Sequence, residues 1–559
     1  MRSRKSLSPM AGLLRRMRVA QALSDKTGIS ADESLDIVTE GARLGGKAAS
    51  DDQRRQFLKQ LGLGAAAVGV GASLSGVSKP AQADPGGGNG DGRPGRVAII
   101  GGGVAGIRCA HRLQQYGIAS TVFEGNSRLG GRVNTNRSIF GRPVERGGEL
   151  ISTEHNAVRN LANELGLDVE DVNGNAVPGG NELYYVNGQH YTEHQLNEEW
   201  RDVYKIFKKI QQEAPWLPTY DWHNDTHKAL DYIDSNTWMD QVGIGANSNM
   251  GQVFQADLVA EYGIQPEDQT ALNLIYLLAW NPINSATPLA GTDERFRIAG
   301  GNDQIWSKMV EQLPEGTVET GRKLVAIRGH INGPYALTFE DGYVHNCDKL
   351  VLALPFSMLR DVDIEPALYE SFRPEKRMAI EQMAFGSNGK MAIQGSSRPW
   401  AQPQYINGQA VTANGVCYVG RPELFDTWDS TSVTGSQEGI LVNFFGGDYG
   451  ANLGGSTPFA APKSADVNHF LNIVDNVFPG TSAAYTGTAM QSKWSANPWS
   501  KGSYSTPTFG SYTSWWGAQP LAEGNIHFCG EHTELEYFGY IDAAVSTGER
   551  AAREIHQTA

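Results

Sequence analysis

The spacing of apolar and polar positions changes several times along the chain, and each change predicts a different element. Residues 97–100 form an uninterrupted apolar run that stops at a glycine-rich turn, which indicates a buried strand leading directly into a helix. A similar run at 120–123 predicts a second strand. Residues 155–290 repeat apolar positions at helical spacing, with broad Trp, Tyr and Leu faces, so we expect a helical insertion there. Just before this range, Ser152 or Thr153 is placed to cap its first helix, which the pattern ends at Gly166.

Short β segments return after the insertion, and the chain ends on a predicted strand and helix. This alternation predicts an α/β protein with a discontinuous Rossmann-like dinucleotide domain and an interleaved substrate domain made of a mixed sheet plus the helical insertion. The predicted segments are 1–83 (leader), 84–95 (flexible linker), 96–154, 295–357 and 491–559 (dinucleotide domain), and 155–294 and 358–490 (substrate domain).

The glycine-rich turn at 101–106 has the spacing G-x-G-x-x-G. In such a turn Gly101 permits the tight bend, Gly103 lets the backbone approach a phosphate, and Gly106 lets the helix pack on the strand. The amides of the first helical turn, including those of Val104 and Ala105, then face a pyrophosphate.

An acidic residue, Glu124, ends the second predicted strand and is followed by Gly125. Its distance from the glycines is the one at which a carboxylate accepts hydrogen bonds from a ribose hydroxyl, which favours an unphosphorylated ribose over NADP. The run RLGGR at 128–132 adds guanidinium charge near the same phosphates. The alternative is a glycine-rich turn in some other α/β protein.

The charge of the chain is unevenly distributed. Residues 1–83 contain 13 Lys and Arg against 7 Asp and Glu; because the whole chain carries −14, residues 84–559 carry −20. Such an acidic body is unsuited to nucleic acid or to anionic membrane surfaces.

The leader contains the pattern of a twin-arginine export signal. Arg54-Arg55 precedes a weakly apolar run at 61–74 and the small-residue site Ala-Gln-Ala at 81–83. This predicts the twin-arginine translocase as a partner and a periplasmic or secreted bacterial protein. A basic amphipathic helix is the alternative, whereas the run is too short and glycine-rich for a stable membrane anchor.

The chain has four cysteines, and two of them, Cys109 and Cys529, fall in a predicted helix and an apolar strand. That placement indicates buried thiols rather than disulfide partners. No cluster of Cys and His has metal-ligand spacing, so no metal is predicted.

From Arg96 to Ile555 the chain resembles the flavin amine oxidase family, which includes monoamine, polyamine and L-amino acid oxidases. The motifs that carry the resemblance are GGGVAG with Glu124, RLGGR, ERGGELI, GGNDQI, LALP, GSNGK, PWSKGSY, HFCGEHT and GYIDAAVSTGERAA. The resemblance implies FAD as the cofactor, so the Rossmann-like domain is expected to be an FAD-binding domain. The sequences ERGGELIS and RFRIAGGNDQI are most similar to those of bacterial exported L-amino acid oxidases.

The resemblance also implies roles for matching positions around the cofactor. Glu124 is expected at the adenosine ribose, Arg132 at the phosphates, Val325 at the adenine through its backbone and Glu531 at the ribityl-phosphate region. The helix start at Ile541 and Asp542 is expected at the flavin carbonyl edge. The full set of expected cofactor contacts is Gly101, Gly103, Val104, Ala105, Gly106, Glu124, Gly125, Arg132, Gly147, Gly148, Glu149, Leu150, Val325, Glu531, Gly539, Ile541 and Asp542.

Three residues match the family's catalytic positions. Tyr504 and Tyr540 correspond to an aromatic pair that aligns the amine and excludes water, and Lys390 corresponds to a lysine that holds a water near flavin N5 and assists the reaction with O2. Leu150 and Gly539 complete the expected substrate contacts with the two tyrosines. The alternatives are plain packing for the tyrosines and a surface position for the lysine.

Two departures from the family narrow the prediction. Ser503 stands where the monoamine oxidases carry the cysteine that binds flavin covalently, so we predict non-covalent FAD. Leu150 stands where venom-type amino acid oxidases carry a carboxylate-binding arginine, which weakens the amino acid assignment. No second dinucleotide fingerprint is present to supply NADPH, so O2 is the expected electron acceptor.

The first hypothesis for the function is an L-amino acid oxidase that takes a hydride from the α-carbon and gives a 2-keto acid, ammonia and hydrogen peroxide. The second is a primary amine or polyamine oxidase that gives an aldehyde, and the third is a flavin-binding protein without turnover. Glu149 and Glu261 favour a cationic substrate group, although structural roles are equally expected for both. His155 is similarly open, and a homo-oligomer remains possible.

Overall fold

The computed structural model describes residues 96–558, apart from 173–176, 178–179, 216, 287–291 and 433–435. The leader, its arginine pair and the linker therefore lie outside the described residues. Within the described part, no helix has the length and apolar character needed to cross a bilayer, and no three His, Cys, Asp or Glu side chains are grouped to hold a metal ion.

Strands occur along the whole described chain. They are β1 (Val97–Ile100), β2 (Ser120–Glu124), β3 (Thr135–Asn136), β4 (Val144–Glu145), β5 (Val169–Asp171), β6 (Asn181–Val186), β7 (Gln189–Tyr191), β8 (Phe296–Ile298), β9 (Val318–Thr320), β10 (Leu324–Gly329), β11 (Tyr335–Phe339), β12 (Val344–Cys347), β13 (Lys349–Leu352), β14 (Asp363–Ile364), β15 (Ala384–Phe385), β16 (Gly389–Gly395), β17 (Pro403–Ile406), β18 (Gln409–Val419), β19 (Phe425–Asp429), β20 (Gly439–Phe445), β21 (Tyr485–Lys493), β22 (Ser505–Thr506) and β23 (Ile526–Phe528).

Helices are interspersed with these strands. They are α1 (Val104–Gln115), α2 (Asn156–Glu164), α3 (Glu193–Glu213), α4 (Asp225–Asp231), α5 (Ser235–Gln241), α6 (Asn249–Tyr262), α7 (Ala271–Leu278), α8 (Gln304–Gln312), α9 (Phe356–Leu359), α10 (Pro366–Glu370), α11 (Pro374–Gln382), α12 (Gly447–Asn452), α13 (Ser464–Val477), α14 (Thr481–Ala484), α15 (Ser511–Ser514) and α16 (Ile541–Gln557).

A five-stranded sheet in the order β23-β13-β1-β2-β9 is parallel throughout. All five strands come from the three segments predicted for the dinucleotide domain. Helices α1 and α16 cross closely beside this sheet, because a Cβ at Gly548 would lie 2.4 Å from the carbonyl oxygen of Ala105. The apolar positions of the two helices share one buried cluster with β1 and β13, which confirms the predicted α/β class with a parallel sheet.

The second large sheet runs in the order β21-β16-β20-β19-β18-β6-β7 and is antiparallel except where β18 meets β6. Its core is built from large apolar side chains, including Trp400, Phe425, Phe445 and Phe470, which are completely buried. Strands β16, β19 and β20 of this sheet carry side chains into the site described below.

The prediction of a helical insertion over 155–290 is wrong for 181–191, where β6 and β7 form a hairpin that joins the second sheet. Asn187 and Gly188 form its turn, with φ of 51° and 72°, which is the left-handed geometry that an Asn-Gly hairpin turn requires. The predicted caps of the first helix are also wrong: α2 begins after His155 without a side-chain cap from its own N-terminal residue.

The four cysteines are all buried and free. The expectation of buried thiols at Cys109 and Cys529 is therefore confirmed.

Candidate active site

A cavity of about 390 Å³ is lined by residues from the two large sheets and from the loops between their strands. Of the residues predicted for the cofactor and substrate, all line this cavity except Gly106 and Asp542. The cavity therefore collects residues from about 440 positions of sequence into one site, from Gly101 to Ile541.

One end of the cavity is formed by the turn between β1 and α1. Gly101 has φ of 112°, and a Cβ on Gly106 would lie 2.0 Å from the Gly101 carbonyl oxygen, so these two glycines are required for the turn and the helix packing. Gly103 is different, because a Cβ there would meet only the Cα of Gly131, at 3.9 Å. The space beside Gly103 thus belongs to the cavity rather than to protein atoms.

Helix α1 begins at this turn without a side-chain cap, since its N-cap residue is Gly103. The first amides of a helix have no partner within the helix, and they carry the positive end of its dipole. Val104 and Ala105 line the cavity at this point. The uncapped donors fit a pyrophosphate.

Glu124 ends β2 beside the same turn. Its two carboxylate oxygens accept hydrogen bonds from the backbone N–H groups of Gly102 and Asn126, each at 2.7 Å, which fixes the side chain at the cavity wall. Burial raises the pKa of Glu124, although both backbone donors oppose that rise. A Cβ at Gly125 would lie 2.5 Å from the Trp499 ring, so this glycine is needed for packing.

Val325 lies where β10 and β11 change register, between the pairs Leu324–Phe339 and Ala326–Thr338. At such a bulge one residue is left out of the ladder of backbone hydrogen bonds. The backbone of Val325 is therefore free of that ladder at the cavity wall, which fits the predicted contact of this backbone with adenine.

Glu531 connects the middle of the cavity to its far end. Its buried carboxylate accepts hydrogen bonds from Arg132 Nη1 and Ser505 Oγ, each at 2.7 Å, and from the backbone N–H of Gly539 at 2.8 Å. Arg132 Nη1 also donates to the carbonyl of Ser503 at 2.7 Å. The ion pair leaves the rest of the Arg132 guanidinium for a phosphate.

Helix α16 also begins at the cavity without a side-chain cap, at Tyr540 and Ile541. The side chain of Asp542 is placed elsewhere: its Oδ1 accepts a hydrogen bond from the backbone N–H of Val158 at 2.8 Å and so caps α2. Of the two residues predicted at the flavin edge, only Ile541 lines the cavity. Burial raises the pKa of Asp542 to about 6, and the amides of Val158 and Ala157 oppose that rise.

The two predicted tyrosines both line the far end of the cavity. Tyr504 Oη donates to the carbonyl of Ala260, and a Cβ at Gly539, where φ is 88°, would be 3.5 Å from the Tyr504 ring. Tyr540 Oη lies 3.4 Å from Glu294 Oε1, to which it donates. Behind Tyr540 the buried His155 ring packs at 4.7 Å, and burial lowers its pKa to about 3, so His155 is a neutral packing residue.

Lys390 is buried in β16 rather than on the surface. Its Nζ donates to Glu149 Oε2 at 2.7 Å and to the carbonyl of Gly147 at 2.9 Å, and it lies 5.1 Å from the centre of the Trp428 ring. Burial would raise the pKa of Glu149, but the Lys390 ammonium, the Arg297 guanidinium and the Ser430 hydroxyl outweigh it, and the pKa is lowered. The carboxylate of Glu149, which the sequence indicated for attracting a cationic substrate group, is therefore already paired with Lys390 inside the protein.

Three further carboxyl groups, which we call the acid cluster, line the same end: Glu261, Glu294 and Asp426. Burial raises the pKa of Glu261 and of Asp426 well above the usual range, and it raises that of Glu294 to about 7. Only Glu261 was singled out from the sequence. Glu294 directly precedes the RFRIAGGNDQI motif, whereas nothing near Asp426 in the sequence indicated a site.

These features fit an FAD-binding oxidoreductase: a Rossmann-type sheet with uncapped helix starts, an acid at the end of β2 and an aromatic end of the cavity. The chain belongs to the flavin-containing amine oxidoreductase family, whose model matches residues 104–556. The expectations of FAD and of an FAD-dependent oxidase are confirmed by this match. None of the described residues that line the cavity is a cysteine, which agrees with non-covalent FAD.

Curated relatives cover most of the chain at low identity. Flavin-containing amine oxidase A of Sus scrofa is 24% identical over 486 residues, which is 82% of this chain and 84% of that protein. Lysine-specific histone demethylase 1 homolog 1 of Arabidopsis thaliana is 26% identical over 490 residues, which is 83% of this chain and 52% of that protein.

Solved structures share the fold. Cyclohexylamine oxidase from Brevibacterium oxydans superposes with a TM-score of 0.68 at 18% identity and covers 83% of this chain and 99% of that one. Putrescine oxidase with bound putrescine gives 0.67 at 19% identity, with 82% and 98% covered.

Proposed function

We propose that the protein oxidises amines that lack an α-carboxylate, to an aldehyde or ketone, with O2 as the acceptor. The observation that carries this proposal is the charge of the tyrosine end of the cavity. Three carboxyl groups line it, and its cation, Lys390, is already paired with Glu149. An α-carboxylate placed there would meet these acids, which favours an amine over an amino acid.

Among the described residues, four arginines line the cavity, and three of them are held by other groups: Arg322 pairs with Glu319 and Asp341. Arg128 donates to the carbonyls of Leu129 and Gly131, beside the glycine turn, and Arg132 pairs with Glu531. Arg146 lies close enough to Arg128 to lower its pKa, although burial is the larger cause. The segments between 96 and 558 that the structure leaves undescribed contain no Arg or Lys.

The cofactor and the residues at the tyrosine end of the cavity each contribute to amine oxidation. FAD, when bound, takes a hydride from the carbon next to nitrogen and passes the electrons to O2, which becomes hydrogen peroxide. Tyr504 and Tyr540 restrict the approach of the substrate and exclude water. Trp428 and Phe444 add an apolar wall, with ring centres 5.5 Å apart, that suits a hydrocarbon chain.

The test compares each amine with the amino acid that differs only by a carboxylate: putrescine with L-ornithine, cadaverine with L-lysine, tyramine with L-tyrosine. Peroxide formation is measured on the purified yellow protein, and the organic product is identified. We expect kcat/KM for the amines to exceed that for the amino acids by about 100-fold or more, the loss caused by burying an unpaired charge. Faster turnover of the amino acids to 2-keto acids would support the amino acid oxidase instead, and no flavin bleaching by any of them without O2 would support a protein without turnover.

We also propose that the protein is exported in folded form by the twin-arginine translocase. The support is that the arginine pair, the weakly apolar run and the small-residue site follow one another in the sequence between 54 and 83. This export route suits a protein that binds its cofactor before export. Replacing Arg54 and Arg55 by lysine is expected to retain most of the enzyme in the cytoplasm, as measured by cell fractionation with FAD content as the control for folding. Unchanged export of the variant would contradict this localisation.

A further inference from the structure

One carboxyl group of the acid cluster, Glu294, accepts a hydrogen bond from the hydroxyl of Tyr540. We propose that Glu294 is a catalytic base that accepts a proton from the substrate ammonium group, so that the amine is neutral when its C–H bond is broken. This inference rests on the proposed function only in that an amine enters the tyrosine end of the cavity.

The backbone holds Glu294 in an unusual conformation at the cavity wall. Its φ is 38°, in the left-handed region that costs a residue with a Cβ about 1 kcal/mol or more. Hydrogen bonds on either side maintain this conformation: the N–H of Glu294 donates to Ser152 Oγ at 3.2 Å, and Asp293 accepts from the N–H of Thr153 at 2.7 Å. Strain of this kind, fixed by the surrounding structure, is typical of functional positions.

The side chain of Glu294 adjoins the aromatic pair through Tyr540, whose hydroxyl donates to it. An amine held between Tyr504 and Tyr540 therefore lies near a carboxyl group that is hydrogen-bonded to Tyr540 and close enough to Tyr504 to raise its pKa, although burial is the larger cause. The Lys390–Glu149 pair is also close to Glu294, but its opposite charges largely cancel at that distance. The Lys390–Glu149 pair does not provide a second base, because Lys390 and Glu149 form an ion pair with each other.

Of the three carboxyl groups in the acid cluster, Glu294 is the one that loses its proton most readily. Asp426 is 6% exposed, and its buried Oδ1 has no hydrogen-bond partner, so this oxygen has no donor that would stabilise a charge on it. Burial and its acidic neighbours keep the pKa of Glu261 and Asp426 high, whereas that of Glu294 is raised only to about 7. The titratable groups that face Glu294 are Tyr540, Tyr504, Lys390, Glu149, Asp293, Glu261 and Asp426.

A single negative charge on Glu294 first attracts the ammonium ion and then removes its proton. One N–H bond of the ammonium breaks and one O–H bond forms on the carboxylate, so the pocket stays neutral overall. The nitrogen lone pair that this step frees is the one that supports departure of the hydride from the adjacent carbon. A base with a pKa near the working pH is suited to such a transfer.

The experiment measures proton release when the holoenzyme binds 2-phenylpropan-2-amine, which has no hydrogen on its α-carbon and is not oxidised. Calorimetry at about pH 8 in two buffers of different ionisation enthalpy gives the number of protons released. In the wild type we expect about zero, because the proton of the ammonium moves to Glu294 and stays in the complex. In Glu294→Gln we expect about one, because the amine then enters neutral and leaves its proton to the buffer.

Glu145→Gln is the matched control. Glu145 is also a buried glutamate whose pKa burial raises to about 7, but it does not line the cavity and accepts hydrogen bonds from Thr135 and Asn302. This variant is expected to give the wild-type proton count. The flavin spectrum and melting temperature of each variant show whether it is folded and loaded.

A second readout is the pH profile of kcat/KM. At about pH 8 an aliphatic amine with a pKa near that of lysine, about 10.4, is only roughly 0.4% neutral, so Glu294→Gln is expected to lose about 100-fold or more, with the loss shrinking as the pH rises. Equal proton release in wild type and Glu294→Gln would overturn the role of Glu294 and leave the amine oxidase assignment intact. Failure of the wild type to bind any amine would overturn both.

Discussion

Replacing Gly103 by alanine is expected to give a folded protein that binds FAD about 100-fold more weakly. The added Cβ meets only Gly131 Cα at 3.9 Å, and the backbone of Gly103, with φ of −73°, suits any residue. The protein therefore accepts the methyl group, whereas a pyrophosphate held against the first turn of α1 does not. A 100-fold loss corresponds to about 2.7 kcal/mol of binding free energy. FAD titration of the apoprotein, followed by flavin fluorescence, measures it.

Gly106→Ala is the control for this prediction, because its Cβ would lie 2.0 Å from the Gly101 carbonyl oxygen within the protein itself. That variant is expected to lose thermal stability even without FAD, while apo Gly103→Ala unfolds within a few degrees of the wild type. A Gly103→Ala protein that keeps wild-type FAD affinity would show that the cofactor does not lie against this turn.

The second large effect is expected at the Lys390–Glu149 pair. Lys390→Met leaves a buried carboxylate without its cation, which costs about 3–5 kcal/mol of folding free energy. The double variant Lys390→Met with Glu149→Gln removes both charges and is expected to recover most of this loss. Urea unfolding of the apoproteins at neutral pH measures the difference.

The pH dependence of this loss follows from the pKa of Glu149, which is lowered in the folded wild type. The stability that the pair supplies is present above the unfolded pKa of the carboxyl and is lost as the pH falls through the lower folded value. In Lys390→Met the same carboxyl is favoured in its protonated form. The difference in unfolding free energy between wild type and variant is therefore expected to narrow as the pH falls towards the unfolded carboxyl pKa of about 4.3, because the variant's carboxyl becomes protonated. It narrows further below that pH, where the wild type loses the stability that the pair supplies.

The same variant tests the role that the family resemblance gives to Lys390. Two of the three N–H groups of its ammonium are used by Glu149 and Gly147, which leaves one for a water. Lys390→Met is expected to slow reoxidation of the reduced enzyme by O2 more than reduction by the amine, as measured by stopped-flow flavin absorbance. Equal slowing of both half-reactions would count against the oxygen role, and equal stability of the single and double variants would count against the ion pair.

Local motifs predicted the cofactor end of the site well. The turn at 101–106 and the acid at Glu124 are short-range features, because the backbone conformation that binds a phosphate is set by a few adjacent residues. Asp542 was misplaced for the opposite reason: its position at a helix start was visible, but the free amides of α2 that its side chain caps come from another part of the chain. The hairpin at 181–191 shows the same limit, since β6 gains its stability by pairing with β18.

The sequence by itself was enough to predict the α/β fold class from its pattern, and the FAD cofactor, the two tyrosines and Lys390 through motifs that resemble those of the flavin amine oxidases, because each such motif consists of adjacent residues. Only the tertiary structure decided the charge of the substrate end. Glu261 ends α6, Glu294 precedes β8 and Asp426 lies in β19, and none of them belongs to a motif that indicates contact with the others. Their shared burial in one cavity raises their pKa values, and shared burial is a property of packing between distant segments that no local pattern contains.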